Sequence, residues 1–328
     1  SGAREFRPVT VRAEHVRTAY LRMETPPILK FRISNRRRDP VTGLTAFVNM
    51  PGKTQQAYSV PELAPSASHL LEIALDTRMR PGDYDLTVEC RLDFANGAWV
   101  DQESFPVHLV PRPEPHRMPV VMWGIGGVES VAENLETLKD IGFTHCLGLG
   151  CDYDRVWDAG TPVSAVTEER LAASRRMLDT ALVNDLGIVI SLGIGHWLES
   201  KPELLRIDRE GKVYERGNIC CNFPQVPSFA YNVGASVAQT YGEFPAFTAA
   251  LINTEVRDGT QLCFHEHDRQ ACREATGLDY PDIVTRKNGV SYTDVEGFPA
   301  TRVIPDDYGL LQFYRWFWRE GDGWNHFH

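Results

Sequence analysis

No apolar stretch of this 328-residue chain is long enough to cross a bilayer, and Ser1 to Arg12 lack the apolar segment of a signal peptide. A membrane-spanning role is therefore not expected. Ser1-Gly2 reads as a vector remnant, so a secreted or periplasmic location with its signal removed stays among the expectations. Positive charge is short as well: 34 Lys and Arg stand against 44 Asp and Glu, a net charge of −10. A nucleic-acid binder needs a positive field to displace counterions from phosphate, and this chain has none to offer. Its one basic cluster, Arg36-Arg37-Arg38, lies between two strand-like segments and reads as a solvated turn. Seven cysteines, an odd number in a chain of this size, make no disulfide framework. No sequence repeat recurs at a fixed period, which excludes a solenoid.

What the sequence does contain is two different periodicities. Leu29, Phe31 and Ile33 alternate with Lys30, Arg32 and Ser34, and Tyr84, Leu86, Val88, Cys90 and Leu92 alternate with polar residues. Period two with one polar face means strands covered on one side only. Pro81-Gly82 opens the second run, and Asn96-Gly97 gives a hairpin signal before Trp99. Residues 1–110 are expected to form an antiparallel, immunoglobulin-like β-sandwich. Three prolines at alternate positions, Pro111, Pro113 and Pro115, mark a stiff linker at 111–118.

Beyond it, from 119 to 328, strands alternate with helices. Val120 to Trp123 reads as a buried strand; Val131, Leu135, Leu138 and Ile141 repeat at helical spacing until Gly142 stops the helix. Phe143 to Leu149 is the next strand. Thr167 can cap a helix carrying Leu171, Leu178 and Leu182, which leads to the strand Ile188 to Leu192. A helix over Phe229 to Thr240 precedes the apolar run that ends at Glu255. Four βα units with right-handed crossovers predict four parallel strands, the first half of a (β/α)8 TIM barrel. Half a barrel leaves its outer strands unpaired, so the chain is expected to be a fragment, with the remainder of the barrel in the same or a separate polypeptide.

Parallel strands bring their carboxyl ends to one face. There the sequence gathers Trp123 from the first, Asp152 and Tyr153 from the second, His196 and Trp197 from the third, and Asn253, Glu255, Arg257 and Asp258 from the fourth. Aromatic faces suit the C–H surface of a sugar and polar groups its hydroxyls. Glycoside hydrolysis needs two carboxyl groups, and Glu255, in a partly apolar setting, is the candidate proton donor. Asp152, Asp154 and Asp258 are candidate partners, each also readable as a loop cap or solvated charge.

A sandwich-like module, a βα region and a fourth strand ending Ile252-Asn253-Thr254-Glu255 resemble a retaining glycoside hydrolase of clan A. The segment Cys263 to Glu274 is similar to the one that follows the acid/base glutamate in family 42 β-galactosidases. The resemblance implies that Glu255 is the acid/base and that the nucleophile, a seventh-strand glutamate, is absent from this chain. The clan has Asn directly before that Glu, whereas Thr254 intervenes here, which puts the role of Asn253 in question. A carbohydrate substrate and no cofactor are expected.

Cys263-x-His265-x-His267-x4-Cys272 offers zinc-ligand types. The family often carries a cysteine-bound zinc in this region, but its cysteine spacing is not reproduced. Surface helix histidines and core thiols are the preferred reading. Two rival functions are a metal-dependent barrel hydrolase using His196, His265, His267 and Asp258, and a carbohydrate-binding protein without catalysis.

Overall fold

The computed structural model describes residues 7–14, 17–50, 52–95, 97–113, 118–125, 127–215, 218–252, 262–280 and 309–319. The amino-terminal strands are β1 (Val9–Ala13), β2 (Ala19–Leu21), β3 (Ile28–Asn35), β4 (Thr45–Asn49), β5 (Gln56–Ser59), β6 (Ser68–Ala74), β7 (Gly82–Phe94) and β8 (Gly97–Val110). They form a three-stranded sheet, β1-β3-β6, and a five-stranded sheet, β2-β8-β7-β4-β5. Alternation explains the layering: Leu29, Phe31 and Ile33 of β3 point inward and are fully buried, as are Leu86, Val88 and Cys90 of β7. Both sets belong to one apolar core. Phe31 meets Phe105 edge to face at 6.0 Å between ring centroids. Burying one such ring contributes about 2–3 kcal/mol. The long β7–β8 hairpin runs in register from Gly82 opposite Leu109 to Phe94 opposite Gly97, so the two strands pair as expected, with Gly97 already in β8 and Asn96 outside the described residues.

One pairing departs from the expected antiparallel pattern. β2 runs parallel to β8, with Ala19 opposite His108 and Leu21 opposite Val110. A three-residue edge strand carries too little alternation to reveal its direction. Just beyond β8, Arg112 donates to the carbonyl oxygens of Arg22 (3.0 Å) and Met23 (2.8 Å), so the start of the proline-rich segment is fastened to the end of β2.

The later elements are β9 (Val121–Met122), α1 (Val128–Ile141), β10 (His145–Leu149), α2 (Tyr153–Ala159), α3 (Glu168–Val183), β11 (Gly187–Leu192), α4 (Ile194–Leu198), α5 (Gln225–Tyr241), β12 (Phe247–Ile252), α6 (Glu266–Thr276) and α7 (Gly309–Arg319). A four-stranded sheet takes them in chain order, β12-β11-β10-β9, and β9 pairs parallel with β10. Val131, Leu135 and Leu138 form the buried stripe of α1. Gly142 ends that helix in a left-handed conformation (φ 102°), its N–H directed to the carbonyls of Leu138 and Lys139. α3 buries Leu171, Leu178 and Leu182 as the periodicity predicts.

Three expectations need correction. Ile141, read as part of the α1 stripe, is 67% exposed, because the helix ends there. Val120 to Trp123 and the run entering Ile252 were expected to be buried strands, yet Val121, Trp123 and Ile252 are exposed. β9 and β12 are the two edges of the sheet, each with one strand neighbour among the described residues, and an edge strand has only one covered flank.

Two compact units divide the chain. The first comprises residues 1–149, 168–189 and 241–249; the second comprises 150–167, 190–240 and 250–328. Within the first, α3 packs on β2 and β8, and buried Asp179 accepts hydrogen bonds from the Thr18 backbone N–H (2.7 Å) and hydroxyl (2.9 Å). Within the second, α6 and α7 share an apolar cluster of Leu262, Cys272, Tyr280, Phe313, Trp316 and Phe317. No helix among the described residues is long and apolar enough to cross a membrane.

Candidate functional site

The second unit carries two groups of side chains with chemical potential. The first follows from β10 and β11 ending in loops that open directly into α2 and α4. Asp152 stops the extended backbone and caps α2, its carboxylate accepting from the Arg155 N–H at 3.4 Å. That cap sends the next residue, Tyr153, towards the end of β11, where its hydroxyl oxygen accepts from the Gly193 N–H at 2.9 Å. Tyr153, Trp157 of α2, Trp197 of α4 and Phe229 of α5 then form one aromatic group. Ring centroids lie 4.8 Å apart for Trp197 and Phe229, 5.2 Å for Trp157 and Phe229, and 5.4 Å for Trp157 and Trp197. Phe229 is the buried floor, whereas both tryptophans stay half-buried. Burial also raises the Tyr153 hydroxyl above its ordinary pKa.

Of the residues read from the sequence, the structure thus brings Tyr153 and Trp197 together and gives Asp152 a helix-capping role. His196 projects outward, its side chain 76% exposed and 3.6 Å from the Glu199 carboxylate. Trp123, in the first unit, is 64% exposed beyond β9. Asn253, Glu255, Arg257 and Asp258 lie outside the described residues. Sequence reasoning missed Trp157 and Phe229; the signal was a Tyr-x-x-x-Trp spacing on α2, which puts both rings on one helical face.

The second group is a thiol-rich cluster. Cys263 and His265 are two apart in a non-helical segment, and Cys263 Sγ lies 2.9 Å from His265 Nδ1. His265 is the N-cap of α6, which brings Asp268 back over the first turn to 3.9 Å from His265 Nδ1. Cys220 approaches from another loop, its Sγ 3.3 Å from Asp268 Oδ2 and 3.3 Å from His267 Nε2. Asn222 donates to the other oxygen of Asp268, fixing the carboxylate plane. One donor atom from each of Cys220, Cys263, His265 and Asp268 lies within 4.8 Å of every other. Cys220, Cys263 and Asp268 are fully buried. Phe223 covers both imidazoles edge-on at 4.8 Å. Burial holds His265 below its ordinary pKa, hence neutral with a lone pair to share.

A fully buried carboxylate between two thiols and two imidazoles fits a divalent metal by donor chemistry, since a cation in their midst would neutralise the charge that burial makes costly. Two of the four residues proposed from sequence spacing, Cys263 and His265, are in this group, and His267 borders it. Cys272 is in the apolar cluster instead, with its thiol 3.7 Å from the Thr276 hydroxyl. Cys220 and Asp268 take the remaining places. The adjacent Cys220-Cys221-Asn222 was the available hint, but a ligand from a distant loop cannot be read from spacing alone.

No family model matches the sequence, and no curated protein matches it. Some solved structures resemble it at low identity and low TM-score. The CARDB domain of PF1109 from Pyrococcus furiosus is 15% identical, with 31% of this chain and 92% of that domain covered and a TM-score of 0.22. The exo-chitosanase CsxA of Amycolatopsis orientalis is 13% identical over 74% of this chain and 28% of its own, at a TM-score of 0.34. A Bacteroides uniformis β-glucuronidase is 11% identical over 75% of this chain and 28% of its own, at 0.31. The chain therefore spans about a quarter of the length of these two proteins, and likenesses this distant carry no argument.

Proposed function

We propose that the chain acts in glycoside hydrolysis, as a retaining, β-galactosidase-like enzyme cleaving O-glycosidic bonds of an oligo- or polysaccharide. The observation that carries this reading is the aromatic group of Tyr153 and Trp157 on α2, Trp197 on α4 and Phe229 on α5, a surface suited to stacking on sugar C–H faces. In this reading residues 119–328 are half of a TIM barrel, and Glu255 donates a proton to the leaving sugar oxygen and later activates water. Asn253, Arg257 and Asp258 hold hydroxyls beside it. The nucleophile comes from the remainder of the barrel, in the same or a separate polypeptide.

The test is Glu255→Gln in the complete polypeptide. Turnover of glycosides with poor leaving groups should fall about 10²–10⁴-fold, whereas activated dinitrophenyl glycosides, which need little protonation, should lose much less at the glycosylation step. Unchanged turnover on both would remove Glu255 from the mechanism.

The thiol-rich cluster supports a second component of this reading: a structural zinc held by Cys220, Cys263, His265 and Asp268. Four protein donors fill a tetrahedral site and leave no position for substrate or reactive water, which argues against the metal-dependent hydrolase. The zinc would fasten the segment following Glu255 to the loop carrying Cys220.

A further inference from the structure

We infer that Lys201 makes the Trp157–Trp197 surface a site for anionic sugars, those bearing a carboxylate or a sulfate; this rests on the carbohydrate reading above. Lys201 follows α4 and its backbone is fixed there, its N–H donating to the Leu198 carbonyl at 2.8 Å. Its ammonium lies 4.6 Å from the Trp197 ring centroid and 5.3 Å from that of Trp157, inside cation–π range of both. An ammonium has three N–H donors, and ring faces use its charge without satisfying them as an oxygen would. No carboxylate among the described residues pairs with it. Glu199, two residues before it in the chain, faces His196 at 3.6 Å. In a chain of net charge −10, this half-buried cation is a local exception, placed on the rings proposed to stack on substrate.

The division of labour follows from that geometry. Tryptophan rings accept the apolar face of any pyranose, while only an anionic substituent gains a charge-assisted hydrogen bond from Lys201. The lysine thus selects substrate rather than performing chemistry.

The 328-residue protein should be titrated separately with a galacturonate, a sulfated galactose and a neutral galactose tetrasaccharide, following the indole N–H signals of Trp157 and Trp197 by NMR. The inference predicts that at least one anionic sugar binds about tenfold more tightly than the neutral one. Which anion does so distinguishes carboxylate from sulfate recognition. Lys201→Met should abolish the advantage and Lys201→Arg should keep it. Equal binding of neutral and anionic sugars, or an advantage that survives Lys201→Met, overturns the role of Lys201 and leaves the carbohydrate reading standing. If none of the three sugars moves either indole signal, both fall.

Discussion

The sandwich and the thiol-rich cluster of the second compact unit bury polar groups in opposite ways. In the sandwich each buried polar side chain is answered by the protein itself: Asn35 donates to the carbonyls of Asp39, Leu63 and Ala64, Asp101 accepts from Arg7 and the Val11 N–H, and Arg17 pairs with Glu24 at 2.8 Å. In that cluster Asp268 is equally buried, yet the groups around it are two histidines, two thiols and an amide, with no Lys or Arg partner among the described residues. The first arrangement is complete without a ligand. The second gathers electron-pair donors around one point, the arrangement a cation completes.

Core and chelator experiments should separate the two regions. Phe31→Ala removes a fully buried ring and should cost the sandwich about 3–5 kcal/mol, measured by denaturant unfolding, without altering metal content. Glu24→Gln breaks a nearly buried ion pair and leaves one oxygen to serve both Arg17 and the Leu21 N–H; a loss of about 3 kcal/mol, again indifferent to chelator, is expected. Chelator sensitivity of either loss would break the comparison.

The smallest effect belongs to the surface of the second unit. Arg269, helped by Arg273, holds the Asp279 carboxyl down to about 2. Its folded pKa lies below its unfolded one, so its contribution is present above the unfolded value and fades as pH falls towards about 2. The group is largely exposed, which limits Asp279→Asn to well under about 1 kcal/mol at neutral pH. A larger loss in thermal unfolding would show that this pair stabilises more than a solvated surface contact can.

The same contrast governs what the sequence makes legible. Leu29, Phe31 and Ile33 announce a one-sided strand because burial and polarity alternate along one stretch of chain. Gly142 announces the end of α1 through local backbone chemistry. The β2–β8 pairing, the exposed flank of β12 and the meeting of Cys220 with Asp268 depend on partners remote in sequence. Asp268 in particular reads as one more charge on an acidic helix turn until folding places it beneath Phe223 and His265. At the candidate sugar surface, Tyr153 and Trp197 were visible because strand ends collect function, whereas Phe229 looked like one more apolar residue of α5.

The contrast between the two regions requires the thiol-rich cluster to be a metal centre, and metal content measures that directly. Protein purified without chelator should contain one zinc per chain by elemental analysis, lost in Cys220→Ser and in Asp268→Ala and retained in Cys272→Ala. A protein free of metal after reconstitution with zinc, or one whose zinc survives both Cys220→Ser and Asp268→Ala, would contradict it.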